Sequence, residues 1–152
     1  MTVAQRERAA LVATLRDTSP DAPTLCEGWD ARDLAAHLVV RERRLDTGPG
    51  ILIPAFAGYT ERVQNHVAAS TDWDILLDQV AEGPPIYSPF KILDPVANPA
   101  EMFIHHEDVR RGRGEVAPRE FSRAVEADLM KAARMMGQMA LSSSEVPVVL
   151  TP

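Results

Sequence analysis

The sequence has a single cysteine, no excess of basic residues and no long apolar run, and each absence excludes a class of protein. Cys26 has no partner for a disulfide within the chain, which is typical of a reducing compartment, so we expect a cytoplasmic protein. Acidic side chains outnumber basic ones by 22 to 16, the reverse of the balance in proteins that bind nucleic acid. No segment approaches the roughly 20 apolar residues of a membrane span, and the charged N-terminus is unlike a signal peptide. We therefore expect neither nucleic acid nor a membrane as a partner.

Several common catalytic motifs are also missing. The glycine pairs at 48–50 and 112–114 match no phosphate-binding loop, and the serines at 142–144 lack the glycine elbow of a serine nucleophile. Cys26 has no base beside it in the sequence, and the neighbouring Glu27 would disfavour its thiolate. We interpret Cys26 as a structural residue.

The chain is long enough to form a stable hydrophobic core by itself. Its 152 residues are 45% hydrophobic, and a domain of this size buries roughly 68–70% of the surface that its unfolded chain exposes. The composition predicts one soluble, mildly acidic domain that needs neither disulfides nor a structural metal. A bound metal would therefore serve function.

Apolar spacing and helix caps predict an all-α fold. Thr2 and Gln5 form a capping box before the first helix, and Asp30 caps the second. Asn98 and Pro99 are typical of a helix start, and the prolines before them indicate a long irregular crossing that lies over the site. The predicted helices cover 2–17, 30–45, 51–69 with 72–82 as one broken region, 98–112 and 118–141.

The C-terminal part differs from the rest. In the last helix, Met135, Met136 and Met139 are interpreted as gap-filling core residues. The run 146–152 is strand-like but has no partner strand in the sequence. We expect a helical bundle at 1–112, followed at 113–152 by a further helix and the strand-like tail.

Two predicted helices each place ionisable residues on an inward face. His37 and Arg41 share the apolar face of the second helix, and Glu101, His105 and Asp108 share one face of the fourth. Polar groups on buried faces are costly unless they pair or bind a metal. We therefore expect the two faces to meet.

The spacing predicts a metal site. Glu101 and His105 lie four residues apart and can reach one ion, and His37 from the facing helix completes a two-histidine, one-carboxylate set. Three protein ligands leave coordination positions open, as in catalytic sites. Zinc is the default ion, and nickel or iron also suits these ligands. Arg41 and Asp108 would support the ligands or face the substrate.

Structural interpretations of the same residues stay open. Glu101 occupies the position of a capping-box glutamate, and His37 could be a core histidine bonded to a carbonyl. The run 105–108 could be a solvated turn of helix. For His106 and His66 we expect an exposed position and no role in the site.

Two segments together resemble a known family. They are the run 24–38, with the pattern Gly-Trp-x₇-His ending on His37, and the run 101–108, with Glu101, His105 and Asp108. This combination resembles the DinB/YfiT-like superfamily, and within it the N-terminal domain group of mycothiol-dependent maleylpyruvate isomerase, over roughly residues 3–112. The run 105–108 looks more like an actinobacterial-type subgroup than like the isomerase itself.

The resemblance implies a DinB-like four-helix bundle, often a homodimer, that holds one divalent metal. The matching ligands are His37, Glu101 and His105. It also implies work with a low-molecular-weight thiol such as mycothiol, in isomerisation or S-transfer on a small molecule. The isomerase has a substantial C-terminal domain that has no counterpart in this sequence, so maleylpyruvate is not the expected substrate.

Three hypotheses follow. The leading one is a metal-dependent transferase or isomerase that uses a thiol cofactor. The second is a non-catalytic module that binds a metal or a small molecule, and the third is a structural dimer in which these residues are caps and core polar pairs.

Overall fold

The computed structural model describes residues 1–48 and 53–141, and helices dominate this part of the chain. No strand occurs among these residues, which confirms the all-α prediction. No described helix is both long and apolar enough to cross a bilayer. The strand-like run 146–152 lies outside the described residues. The described helices are α1 (Val3–Arg16), α2 (Ala31–Arg43), α3 (Pro54–Ser70), α4 (Trp73–Glu82), α5 (Phe90–Arg111) and α6 (Arg123–Leu141), with a short 3₁₀ turn at Leu45–Thr47.

The first two helices begin where the sequence predicts. The Thr2 hydroxyl accepts a hydrogen bond from the backbone of Gln5, and the Gln5 side chain accepts one from the backbone of Thr2. Asp30 and Asp33 form the same reciprocal capping box at the start of α2. Each box satisfies two backbone donors that the first turn of a helix leaves without partners.

The helices form a bundle around one apolar core. Helix α1 packs on α5 and α4, α2 packs on α3 and α4, and α6 packs on α5. Helices α2 and α5 also touch, and this contact brings the two ionisable faces together. The largest fully buried apolar side chains are Leu11, Leu15, Leu34, Leu38, Leu76, Leu77 and Met102.

The start of α5 differs from the prediction. The helix begins at Phe90, so Pro99 lies inside it and the irregular segment shrinks to residues 83–89. Asn98 does not cap a helix; its buried side chain accepts a hydrogen bond from Arg41 and donates one to Glu42. These tertiary contacts override a local signal that is otherwise typical of a helix start. The last helix also begins later than predicted, at Arg123.

A loop between α1 and α2 is pressed against the end of α5. The backbone of Leu25 donates a hydrogen bond to the carbonyl of Asp108, with 3.1 Å between nitrogen and oxygen. Gly112 permits this approach, because a Cβ at that position would lie 1.9 Å from the carbonyl oxygen of Pro23. The contact brings Cys26 to the face of α5 that carries His105, and Trp29 of the same loop packs against His37 of α2.

A buried ion pair connects three helices of the bundle. The Arg8 guanidinium of α1 donates to both carboxylate oxygens of Glu42 on α2, and also to the carbonyl of Val80 on α4. Glu42 is 1% exposed. Buried charges of this kind are tolerated only when they are paired and hydrogen-bonded.

Candidate metal centre

Glu101 lies between the two histidines that the sequence predicts as its partners. Its Oε1 atom is 3.5 Å from Nε2 of His37 and 3.2 Å from Nε2 of His105. One ligand atom from each residue lies within 4.8 Å of the other two. Because α5 runs on past Glu101 in both directions, Glu101 is a mid-helix residue and its interpretation as a helix cap is wrong. We call His37, Glu101 and His105 the triad.

A hydrogen bond at the other ring nitrogen, Nδ1, fixes the orientation of His37. Its Nδ1 atom lies 3.3 Å from Oε1 of Gln64, a residue of α3 that is 5% exposed. A carbonyl oxygen can only accept, so Nδ1 donates to Gln64, and Nε2 is the nitrogen that faces Glu101. Trp29 packs beside the ring, with 4.9 Å between the ring centroids.

His105 is held in the same way by a carboxylate. Its Nδ1 atom lies 3.1 Å from Oδ2 of Asp108, one turn further along α5. Asp108 therefore directs Nε2 of His105 towards Glu101. An imidazole whose Nδ1–H is held by an acceptor is the usual arrangement behind a metal-bound histidine.

Arg41 faces Glu101 and is largely enclosed. Its Nε atom is 3.4 Å from Oε1 of Glu101, and its guanidinium donates to Asn98 and stacks over the ring of Phe90. Its side chain is 10% exposed. Arg41 thus fixes the Glu101 carboxylate, which leaves little of the guanidinium for contact with a substrate.

The charges of the site reinforce one another. Burial alone would raise the pKa of Glu101, but hydrogen bonds from both histidines and the charge of Arg41 outweigh it and hold that pKa well below its usual range. Burial would lower the pKa of His105, yet its bonds to Asp108 and Glu101 raise it to about 9. The carboxylates are therefore ionised, as a cation would require, and a metal ion would have to displace the second proton that His105 holds without one.

Cys26 lies next to the triad, a position that sequence reasoning missed. Its sulfur donates to Oδ2 of Asp108 at 3.1 Å and lies 3.9 Å from Nδ1 of His105. Burial and the bond to Asp108 raise the pKa of the thiol to about 12. The interpretation of Cys26 from its sequence neighbours could not find these partners, since they come from a helix about 80 positions away.

His106 points away from the triad and is not exposed, so that expectation is wrong. It is 4% exposed and bonds to Thr14 on α1 and to Arg119 beyond α5. Arg119 also donates to Glu7, which closes a buried polar network between α1, α5 and the segment before α6. His66 is exposed, as predicted.

A cavity of about 590 Å³ opens beside the triad. His37 lies in its wall, between Trp29 and Asp33 on one side and Thr60 and Gln64 on the other. A cavity of similar size, about 620 Å³, lies over Arg8 and touches no member of the triad. The cavity at His37 is therefore a route by which a small molecule could reach the triad.

The donor set fits a divalent metal ion. The triad would supply one ionised carboxylate oxygen and two imidazole Nε2 atoms, once the ion replaces the hydrogen bonds that these nitrogens make to Glu101, and this combination is typical of catalytic zinc and of related ions. Hydrogen bonds at Nδ1 orient both rings, with Gln64 bonded to His37 and Asp108 bonded to His105. The side chains of the triad stay between 13% and 23% exposed, so solvent or substrate can approach.

Comparison with known proteins identifies the family of the chain. No curated protein and no solved structure matches the chain. The family model of the mycothiol maleylpyruvate isomerase N-terminal domain matches residues 2–142, which is nearly the whole sequence. The chain belongs to the family of mycothiol maleylpyruvate isomerase N-terminal domains.

Proposed function

We propose that the protein is a metal-dependent enzyme that uses a low-molecular-weight thiol, mycothiol or a similar compound, to transfer sulfur to a small electrophile or to isomerise it. The observation that carries this proposal is the convergence of His37, Glu101 and His105 beside an open cavity. Three protein ligands leave room in a tetrahedral sphere for a further ligand. Family membership makes a thiol the leading candidate for that ligand.

The state of Cys26 favours an external nucleophile. Thiol chemistry proceeds through the thiolate, and burial beside the Asp108 carboxylate keeps the Cys26 proton in place. A site whose own cysteine is inactive needs a second thiol for sulfur transfer. A low-molecular-weight thiol that enters by the cavity at His37 supplies one.

The roles of the chain's own residues follow from their contacts. A bound divalent cation stabilises a thiolate over the thiol. Gln64 and Asp108 hold the two imidazoles so that Nε2 faces the ligand position, and Arg41 holds the Glu101 carboxylate. Trp29 packs against one side of the His37 ring and supports its orientation.

The finer identity of the centre is also part of the proposal. Zinc is our choice of metal because two histidines and a carboxylate are its common catalytic ligands, with nickel or iron as alternatives. We further propose a homodimer in the cytoplasm, with a helical bundle at 1–112 and an appended segment at 113–152.

A non-catalytic module that binds a metal or a small molecule is the alternative. One observation favours it: Arg41, the cation best placed to hold an anionic substrate, is already bonded to Glu101 and Asn98 and is only 10% exposed. Such a module would keep the triad and lack turnover.

Turnover separates the two functions. Purified protein is incubated with mycothiol and a panel of small electrophiles, and both the loss of free thiol and the conversion of each electrophile are followed. If the protein is an enzyme, we expect thiol consumption or thiol-dependent isomerisation that stops on addition of a chelator and returns with zinc. This activity should be lost in Glu101→Gln and kept in the exposed control His66→Ala. A metal-loaded protein that neither consumes thiol nor converts any electrophile would contradict the enzyme and support the module.

A further inference from the structure

A second set of potential ligands lies on the opposite side of the His105 ring. It consists of Cys26 from the loop before α2 and His105 and Asp108 from α5, and one ligand atom of each lies within 4.8 Å of the others. This set uses Nδ1 of His105, whereas the triad uses Nε2. We call Cys26, His105 and Asp108 the thiol cluster.

The dimensions of the thiol cluster suit a metal ion. Its atoms are separated by 3.1 Å from sulfur to Asp108 Oδ2, by 3.1 Å from Oδ2 to His105 Nδ1, and by 3.9 Å from sulfur to Nδ1. Ligand atoms about 2.0–2.3 Å from one tetrahedral ion lie roughly 3.3–3.8 Å apart. Adjustments of a few tenths of an ångström would therefore place the three atoms around one ion.

Sulfur, nitrogen and carboxylate oxygen are a ligand set for a thiophilic ion. Thiolates select zinc, cadmium and similar ions over magnesium or calcium. The sulfur is also held in place, because Leu25 donates to the carbonyl of Asp108 and Thr24 bonds to the backbone of Cys26. The loop does not have to move far to bring sulfur to the ion.

We propose that Cys26, His105 and Asp108 form a second binding site, specific for a thiophilic divalent cation, that competes with the triad for His105. Binding releases the thiol proton to solvent, and the thiolate and Nδ1 become ligands. A neutral imidazole has one lone pair, so an ion on Nδ1 leaves the proton on Nε2 and removes His105 from the triad. The thiol cluster does not require the triad to bind anything.

Cobalt is the probe, because cobalt bound to a thiolate gives a near-ultraviolet charge-transfer band. The sequence contains one cysteine, so any such band belongs to Cys26. Cobalt is titrated into the full chain carrying His37→Ala, which breaks the triad and leaves the cluster intact, with a phosphine as reductant. We expect the band to appear and saturate near one equivalent, and to vanish in His37→Ala/Cys26→Ser.

Two further variants keep the test decisive. Asp108→Asn in the His37→Ala background removes the carboxylate at nearly constant volume and should weaken cobalt binding by at least tenfold. Glu101→Gln replaces His37→Ala if that variant does not give the circular dichroism of a helical protein. Lack of a charge-transfer band at saturating cobalt, in folded protein with a titratable thiol, would overturn the second site. A band that disappears when His37 or Glu101 is replaced would also overturn it, since Cys26 would then belong to one site with the triad.

Discussion

At the scale of single residues, two side chains decide which nitrogen of each imidazole faces Glu101. Gln64 and Asp108 accept the Nδ1 protons of His37 and His105, so Nε2 is the nitrogen that each ring turns towards Glu101 and would offer to a metal. Helix periodicity predicts Asp108 because it shares a helix face with His105. Gln64 was not predicted, because it comes from α3 and nothing in its own segment indicates that it meets α2.

The role of Gln64 can be measured as metal affinity. Gln64→Ala removes the acceptor that fixes His37, and the loss of such a partner typically lowers metal affinity by about 10–100-fold. Zinc affinity is measured by competition with a chromophoric chelator in protein carrying Cys26→Ser. Gln64→Glu should keep the affinity, since a carboxylate also accepts from Nδ1, and the exposed neighbour Asn65→Ala serves as the control. Equal affinity in Gln64→Ala and Asn65→Ala would show that His37 needs no such support.

Gly112 is a second residue whose importance depends on tertiary contact. A methyl group at this position would overlap the carbonyl of Pro23, so Gly112→Ala must displace the loop that carries Cys26 and Trp29. We expect a destabilisation of about 1–3 kcal/mol in urea denaturation, the usual cost of overpacking. Gly58→Ala is the matched control, because it lies in a helix with open space around its Cβ and should stabilise by about 0.5–1 kcal/mol. A Gly112→Ala protein as stable as wild type would mean that the loop can retreat freely.

At the scale of helices, α1, α2 and α4 owe part of their arrangement to a single buried ion pair. Arg8 and Glu42 read in the sequence as ordinary charges on amphipathic helices, and their burial was not predicted. Local patterns predicted the caps of α1 and α2 and the break between α3 and α4 correctly. They failed at the start of α5, where Asn98 satisfies Glu42 and Arg41 instead of capping a helix.

Removal of one partner tests the ion pair. Glu42→Gln leaves the buried Arg8 cation without the Glu42 carboxylate, and we expect a loss of about 3–5 kcal/mol in the free energy of unfolding. Asp78→Asn breaks the exposed pair with Arg16 and should cost at most about 1 kcal/mol. The double variant Arg8→Met/Glu42→Leu should lose less than the sum of the single replacements. If Glu42→Gln and Asp78→Asn cost the same, the buried pair does not hold the helices together.

At the scale of the whole molecule, the bundle serves to bring two helices from distant parts of the sequence to one small site. The all-α class, the helix order and the meeting of the α2 and α5 faces could all be predicted, because apolar periodicity fixes which face of each helix is buried. The sequence could not predict which residues from other segments contact those two faces. Cys26 and Trp29 come from a loop whose position depends on tertiary contacts. His106 is buried because it pairs with Glu7 and is hydrogen-bonded to Arg119, and both residues are distant from it in the sequence.

The metal content of the purified protein is the direct test of a metal centre at the triad. All proteins carry Cys26→Ser, so that the triad alone can hold the ion, and each is loaded with zinc, desalted and measured by mass spectrometry at known protein concentration. We expect close to one ion per chain in the Cys26→Ser protein and in its His66→Ala derivative. The His37→Ala and His105→Ala derivatives should lose that ion. Protein that stays empty after incubation with zinc or nickel, or an ion that survives both replacements, would contradict a metal centre at His37, Glu101 and His105.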